Sequence, residues 1–393
     1  MFNRVNWKKA FIQAAAVGLI FCLGLALVVG GFVLVNYDHL GRFMRVVYLI
    51  DTQYLNGTSR AGLVDGAIDG MVGSLDPYSS FQDAEENKVL MNSIQGTFGG
   101  IGVHLSTADP EKLVVMRPIK GSPAERAGLE AGDIITKIDE TDVSTISQDE
   151  AVAILRGEPG SKVTVKIYRP KTKTEFTVSL IRDYINVPTV EGISLPGRSD
   201  IGLIDISSFN INTGDELEKV LREMDLTKYK GLIIDLRYNY GGEVNAAIKV
   251  ASFLVPEGSI VHIVNRNGVV DTKESTAEYI DMPIVILTNE YTASAAEIVS
   301  GAVKDYGSGA LVGTKTYGKG VVQTVFTLDG NTSVKLTTDK YLTPKKNDIN
   351  KLGIKPDVEV ELKEGEKPTI LPTEPVFDSQ LSKAVEVLLQ KIQ

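Results

Sequence analysis

Hydrophobic positions change their pattern along the chain. The first stretch has no period at all: Ala14 to Val35, AAAVGLIFCLGLALVVGGFVLV, is an unbroken run of apolar residues and glycine. At about 1.5 Å per helical residue it matches a hydrocarbon core of about 30 Å, and it has no polar face. From about Asp38 to Asn92 the pattern turns helical. In SRAGLVDGAIDGMVGSL, Leu63, Ala67, Met71 and Leu75 stand at a four-residue spacing until Asp76-Pro77 breaks the run.

Short strand-like runs follow: GIGVHL, KLVVMRPI, DIITKID and KVTVKIY. Between them, PAERAGL reads as a short helix turned sharply into a strand. SQDEAVAILRG reads as a second helix, with Ser147 and Glu150 as its capping box. From about Tyr184 onward, apolar strands alternate with helices: IGLIDISSF, TGDELEKVLREM, GLIIDLRYN, EVNAAIKVASFLV, PIVILTN and SAAEIVSGAVKDY. Strands without polar alternation are buried on both faces, which predicts a mixed, largely parallel α/β sheet. The expected fold class is therefore α/β multidomain: residues 1–36 a cytoplasmic stub and transmembrane helix, 37–92 a small helical region, 93–183 a β-rich unit with two helices, and 184–393 an α/β core ending in the helix SQLSKAVEVLLQKI. The 37–92 region also offers a surface for self-association.

Charge changes the picture at the N-terminus. Arg4, Lys8 and Lys9 precede the apolar run, which places that flank in the cytoplasm and the rest of the chain outside. With no A-x-A cleavage site after it, the run is expected to stay as a single-pass cell-membrane anchor. A net charge of -9 argues against nucleic-acid binding. The single cysteine, Cys22, lies in the apolar run, and only His39, His104 and His262 occur. Cysteine nucleophiles, multi-cysteine metal sites and H-E-x-x-H chemistry are thereby excluded from the globular part, and neither metal nor cofactor is expected.

DLRYNYGG and TNEYTASAAE end buried strands, where ligands gather in α/β sheets. Ser294 and Glu297 form S-x-x-E before an apolar run, which suffices for a helix cap. The same place suits a nucleophile, because helix-start amides face developing negative charge and Ala293, Ala295 and Ala296 leave room. A serine needs a base, and in TYGKGVVQTV the base would be Lys319, flanked by Gly318 and Gly320. Gln323 lies at even spacing from it, placed to hold the amine. A lysine serves as base near neutrality only when desolvated.

The GSPAERAGLEAGDII signature resembles a PDZ domain of the protease-associated type. This implies that Phe98 to Val103, and Gly99, Gly100, Ile101, Gly102 and Val103 in particular, bind an extended C-terminal peptide. Arg156 is a candidate carboxylate or domain-docking contact, although a solvated helix-end arginine is the favoured reading. The ordered set SLDPYSSF, the PDZ signature, IGLIDISSF, GLIIDLRYNYGG, TASAAE, YGKG with its glutamine, and LGIKPDVEVE resembles the carboxyl-terminal processing proteases over nearly all the chain after the apolar run. The resemblance implies a Ser-Lys dyad serine endopeptidase. Ser294 would be its nucleophile, Lys319 its general base, Gln323 the residue orienting Lys319, and the Ala295 and Gly241 amides its oxyanion hole. It also implies protein and peptide substrates taken by their C-termini, no cofactor, and a homodimer or larger even-numbered oligomer. Thr292, Ala296 and Tyr240 depart from the family pattern, which bears on subsite shape. Two other classes stay open: a catalytically silent PDZ scaffold that binds protein C-termini, and an apolar-ligand carrier.

Overall fold

The computed structural model describes residues 39–106 and 112–392. The apolar run 14–35 lies outside the described residues. Among those described, no helix is long and apolar enough to cross a membrane. The chain divides into two units between Leu75 and Asp76.

The first unit carries helices α1 (39–53) and α2 (Arg60–Gly73), the latter capped by Ser59. The face predicted for α2 is corrected at its end. Val72 is the buried residue and Met71 is exposed, while Leu75 lies beyond the last helical residue, Gly73. A four-residue row cannot run through a helix end.

The second unit opens with β1 (Ser80–Gln82) and α3 (Ala84–Gln95), whose Asp83–Glu86 capping box is complete. The ribbon β2 (Thr97–Gly100) pairs with β9 (Asp183–Asn186) and brackets a sheet of β3 (Val103–Leu105), β4 (Leu113–Pro118), β5 (Ile134–Ile138), β7 (Lys162–Arg169) and β8 (Thr174–Ile181). The two-residue strand β6 (Thr141–Asp142) pairs with β5. Alternate residues of β7, namely Val163, Val165 and Ile167, are buried against Leu113, Val115, Ile135 and Ile138, as a half-buried sheet requires. Helices α4 (Pro123–Arg126) and α5 (Gln148–Leu155) are those the sequence predicts. Glu150 Oε2 accepts the Ser147 N–H at 2.8 Å, closing the box.

The α/β core is a six-stranded sheet in the order β10 (Val190–Leu195), β11 (Arg198–Ile206), β12 (Gly231–Asp235), β15 (Ile284–Thr288), β16 (Gly309–Gly313), β19 (Val358–Glu359). Only the β10–β11 pair is antiparallel. One face carries Ile204, Ile206, Leu232, Ile234 and Ile286 beneath α6 (Thr213–Met224), α7 (Val244–Leu254) and α8 (Ala295–Tyr306). The other carries Leu203, Ile233, Val285 and Val312 beneath α9 (Ser379–Ile392), through Leu381, Ala384 and Leu388. Burial on both faces is why these strands read as continuous apolar runs. A second, antiparallel sheet joins β1, β13 (Ser259–Asn265), β14 (Val270–Glu274), β17 (Val321–Thr327) and β18 (Ser333–Leu342).

Candidate active site

Ser294 is the N-cap of α8, at φ 56° and ψ -117°. Left-handed φ is unusual for a residue with a Cβ and costs about 1–3 kcal/mol unless the surroundings impose it. Here they do. The Ser294 N–H donates to Glu297 Oε2 at 2.9 Å, and its carbonyl accepts the Tyr341 hydroxyl at 2.9 Å and the Glu297 N–H at 2.8 Å. The preceding Ala293 N–H donates to Asn239 O at 2.9 Å. The Ser294 side chain makes no cap hydrogen bond. The start of α8 is thus secured by backbone and carboxylate contacts, and the hydroxyl is left for other chemistry.

Glu297 does more than the cap predicted for it. Its fully buried carboxylate accepts Thr316 Oγ1 at 2.5 Å and Gly318 N at 2.7 Å through Oε1, and Ser294 N and Lys319 N at 2.9 and 2.8 Å through Oε2. Burial raises its pKa above the usual carboxylate value, against the pull of these four donors.

Lys319 lies in the loop before β17. A Cβ on Gly318 would sit 2.6 Å from Gly353 N, and one on Gly320 would sit 2.7 Å from Asn350 N. Both glycines are required because the 349–353 loop presses against them. The Lys319 ammonium makes no ion pair or hydrogen bond among the described residues, and its Nζ stands 5.0 Å from the centre of the Tyr78 ring. Burial lowers its pKa and the nearby Lys335 lowers it further, while Glu297 and Asp76 act in the opposite sense. A half-buried amine with a depressed pKa is what a lysine base requires.

The remaining expected residues fare unevenly. Gly241 is packed against the serine: at φ 95°, its Cβ would meet Ser294 Cβ and Ala295 N, each at 2.8 Å. Its N–H, however, donates to Asn239 Oδ1 at 2.8 Å, so in this state the amide is already engaged. Gln323 does not hold Lys319 here. Its Nε2 donates to Thr337 Oγ1 at 3.3 Å, and Thr337 Oγ1 donates to Asp76 Oδ1 at 3.2 Å. The register of β17 on β18 also shifts between Val322 and Gln323, which spacing along the sequence cannot reveal. Asp76 further accepts the N–H groups of Tyr78 and Ser79 at 2.8 and 2.9 Å, and β1 then pairs with β18. The segment that reads as a helix break and as the first of the family-like motifs therefore delivers Tyr78 to Lys319. The motif SLDPYSSF marks the segment in the sequence, but not its contact with Lys319.

In the PDZ-like unit, Gly100, Ile101, Gly102 and Val103 line a groove of about 310 Å³ together with Val152 and Leu155 of α5. Gly99 is a correction. It lies outside that groove, and a Cβ there would sit 2.1 Å from Gly157 O, so close packing explains the glycine. The Ile101 side chain is buried in the unit's own core, leaving only its backbone for a ligand. Arg156 stacks over Phe98, 5.0 Å from the ring centre, at the rim of the groove.

Residues 200–360 match peptidase family S41, residues 114–169 match a PDZ domain, and residues 34–86 match the N-terminal domain of the activating protease CtpB. The carboxy-terminal-processing protease of Bartonella bacilliformis is 36% identical over 333 residues, which cover 83% of this chain and 76% of that one. The carboxy-terminal processing protease CtpA of Bacillus subtilis is 38% identical over 333 residues, covering 84% and 71%. Among solved structures, the photosystem II D1 C-terminal processing protease superposes with a TM-score of 0.50 at 31% identity, covering 88% and 90% of the two chains. With a PDZ unit ahead of an α/β core, and with its serine and lysine loops tied to one buried carboxylate, the chain belongs to the carboxy-terminal processing proteases, serine peptidases of family S41.

Proposed function

We propose that this serine peptidase is a membrane-anchored, extracytoplasmic endopeptidase that takes C-terminal or unstructured segments through its PDZ groove and cuts them with Ser294 and Lys319. The observation that carries the assignment is the Glu297 carboxylate, whose Oε2 binds the backbone of both residues at once. In acylation, neutral Lys319 accepts the Ser294 hydroxyl proton as Oγ attacks the scissile carbonyl. The proton then passes to the leaving amine and the C–N bond breaks. Water repeats the sequence on the acyl-enzyme, releasing the new carboxylate and restoring Ser294. Negative charge on the tetrahedral oxygen falls to the Ala295 and Gly241 amides. For Gly241 this requires release from, or sharing with, Asn239 Oδ1. A peptide tail docked in the PDZ groove is the event assigned to trigger that change, together with the approach of Gln323 to Lys319.

The cell-membrane location is supported by Arg4, Lys8 and Lys9 ahead of the apolar run Ala14 to Val35. A homodimer or larger even-numbered oligomer is the assembly proposed for it. The test compares the purified chain with Ser294→Ala and Lys319→Ala forms on an unfolded protein substrate, reading new fragments by mass spectrometry. Cleavage by the parent alone supports the assignment, and cleavage retained by either variant refutes it.

A further inference from the structure

Three tyrosines gather beside Ser294 for which the mechanism has no use. Tyr238 and Tyr240 lie on the turn leaving β12, and Tyr291 lies on the turn leaving the neighbouring strand β15. The Tyr238 and Tyr291 rings stack at 5.3 Å with planes 19° apart, and Tyr240 meets Tyr291 edge-on at 6.0 Å and 64°. Tyr240 is 68% exposed and Tyr291 41% exposed, although both turns are otherwise tightly held. The buried Asn289 does the holding: its Oδ1 accepts the N–H of Tyr238 at 3.0 Å and that of Tyr291 at 3.1 Å. One carboxamide oxygen thus fixes both turns, and Tyr238 takes a left-handed φ of 60° to comply. The rings are presented, not left over from the core.

Position supplies the occupant. Tyr240 is bonded to Gly241, whose Cα is so close to the serine that an added Cβ would lie 2.8 Å from Ser294 Cβ. Tyr291 precedes Ser294 by three residues on the other turn. A peptide that reaches Ser294 therefore passes the two turns that carry these rings. Rigid aromatic rings with free edges bind aromatic and branched apolar side chains at little entropic cost. Tyr240 and Tyr291 make no side-chain hydrogen bond among the described residues, so neither ring is spent on the fold's own polar contacts. The geometry points to a specificity subsite: Tyr240 and Tyr291, the latter stacked on Tyr238, select polypeptides carrying an aromatic or large aliphatic side chain close to the scissile bond. Tyr240 also stands where the family resemblance expects proline or serine, so the subsite is a property of this chain. The inference rests on Ser294 being the nucleophile.

The test begins with the full chain acting on unfolded casein, with cut sites mapped by mass spectrometry. Phe, Tyr, Trp, Leu or Ile is expected to be enriched at one position within a few residues of the cut. Peptide pairs differing only in Phe or Ala at that position then give a kcat/KM ratio. Tyr240→Ala and Tyr291→Ala should each lower that ratio about five- to tenfold, and Tyr240→Phe should preserve it. Random cut sites, an unchanged ratio in both alanine variants, or an equal loss on both peptides would overturn the subsite. Ser294→Ala separates the two failures. Persistent cleavage there removes the nucleophile assignment, whereas its loss alongside unchanged tyrosine-variant ratios removes the subsite alone.

Discussion

Ser294 and Lys319 are held by the same oxygen atom: Glu297 Oε2 accepts the backbone N–H of each, at 2.9 and 2.8 Å. A serine at a helix start and a lysine in a loop 25 residues later are thereby set in one frame. The other oxygen of the same carboxylate fixes Gly318 and Thr316. At Ser294 and Lys319 the oriented groups are main-chain, so both side chains stay free for chemistry.

Replacing Glu297 by glutamine turns one acceptor into an NH2 that faces backbone donors. Two donors in a buried site then lose their acceptor, which costs about 1–3 kcal/mol for each group. We expect Glu297→Gln to lower kcat about 100-fold with a smaller change in KM, because it moves the proposed nucleophile and base by fractions of an ångström. A second readout separates this from simple loosening. Glu297 also opposes the depression of the Lys319 pKa, so its neutralisation should move the acid limb of the kcat/KM profile to lower pH. An unmoved limb would mean that Glu297 acts through packing alone.

Two neighbours of Lys319 should move that limb in opposite directions. Lys335 pushes the amine toward its neutral form, so Lys335→Met raises the Lys319 pKa and shifts the rise in kcat/KM to higher pH. Asp76 favours the ammonium, so Asp76→Asn shifts the rise to lower pH while keeping an acceptor for the Tyr78 and Ser79 amides. Stability carries the same sign. The folded Lys319 loses its proton below the ordinary lysine pKa, so the unfolded chain binds more protons between the folded and unfolded values. The penalty for burying the ammonium therefore fades as pH rises through that window. Chemical unfolding of Lys319→Met should show its largest stabilisation below the window and none above it.

The loop bearing Tyr238 to Gly242 rests on a buried cation. Arg237 Nη2 lies 2.7 Å from Asp235 Oδ2, its Nη1 lies 2.9 Å from Asp378 Oδ2, and all three side chains are buried. Asp378 belongs to the segment leading into α9, so this arginine ties the C-terminal helix to the end of β12. Arg237→Met leaves two buried carboxylates without their cation and should cost about 3–5 kcal/mol in urea unfolding. The double variant Arg237→Met with Asp378→Asn should recover part of that loss. If the single variant is neutral, the cluster is more solvated than its burial indicates.

The elements themselves are legible because burial writes directly into sequence. The strands of the α/β sheet are apolar on both faces, α8 follows its small-residue turn, and the Ser147–Glu150 cap closes as its spacing predicts. The placement of Ser294 at the start of α8 and of Lys319 between two closely packed glycines is legible from the S-x-x-E spacing and the flanking glycines. The rest depends on contacts across long sequence separations. Asp76 reaches Thr337, Tyr341 reaches Ser294, and Gln323 spends its amide on Thr337, none of which a local pattern encodes. Gly99 misleads for a related reason: a glycine needed for packing against Gly157 reads the same as one needed for a ligand.

Gly241 gives the sharpest steric test of the site. Its φ of 95° suits glycine, and an alanine Cβ there would press to 2.7 Å from Ala293 O and 2.8 Å from Ala295 N and Ser294 Cβ. None of these can yield as a flexible side-chain end would, because each belongs to the backbone or Cβ of the serine turn. Gly241→Ala must therefore move the turn, the proposed nucleophile and one proposed oxyanion donor together. The expected loss in kcat is about 100-fold or more, comparable to removing an oxyanion-hole donor. Asn239→Ala perturbs the same amide without adding bulk: it frees the Gly241 N–H from its Oδ1 partner but leaves Ile206 O without the Asn239 Nδ2 donor. If the engaged amide restrains the resting enzyme, Asn239→Ala should lose stability yet cleave an unfolded substrate with a higher kcat than Gly241→Ala. Equal kcat values in the two variants would show instead that Asn239 is needed to aim the amide at the developing oxyanion.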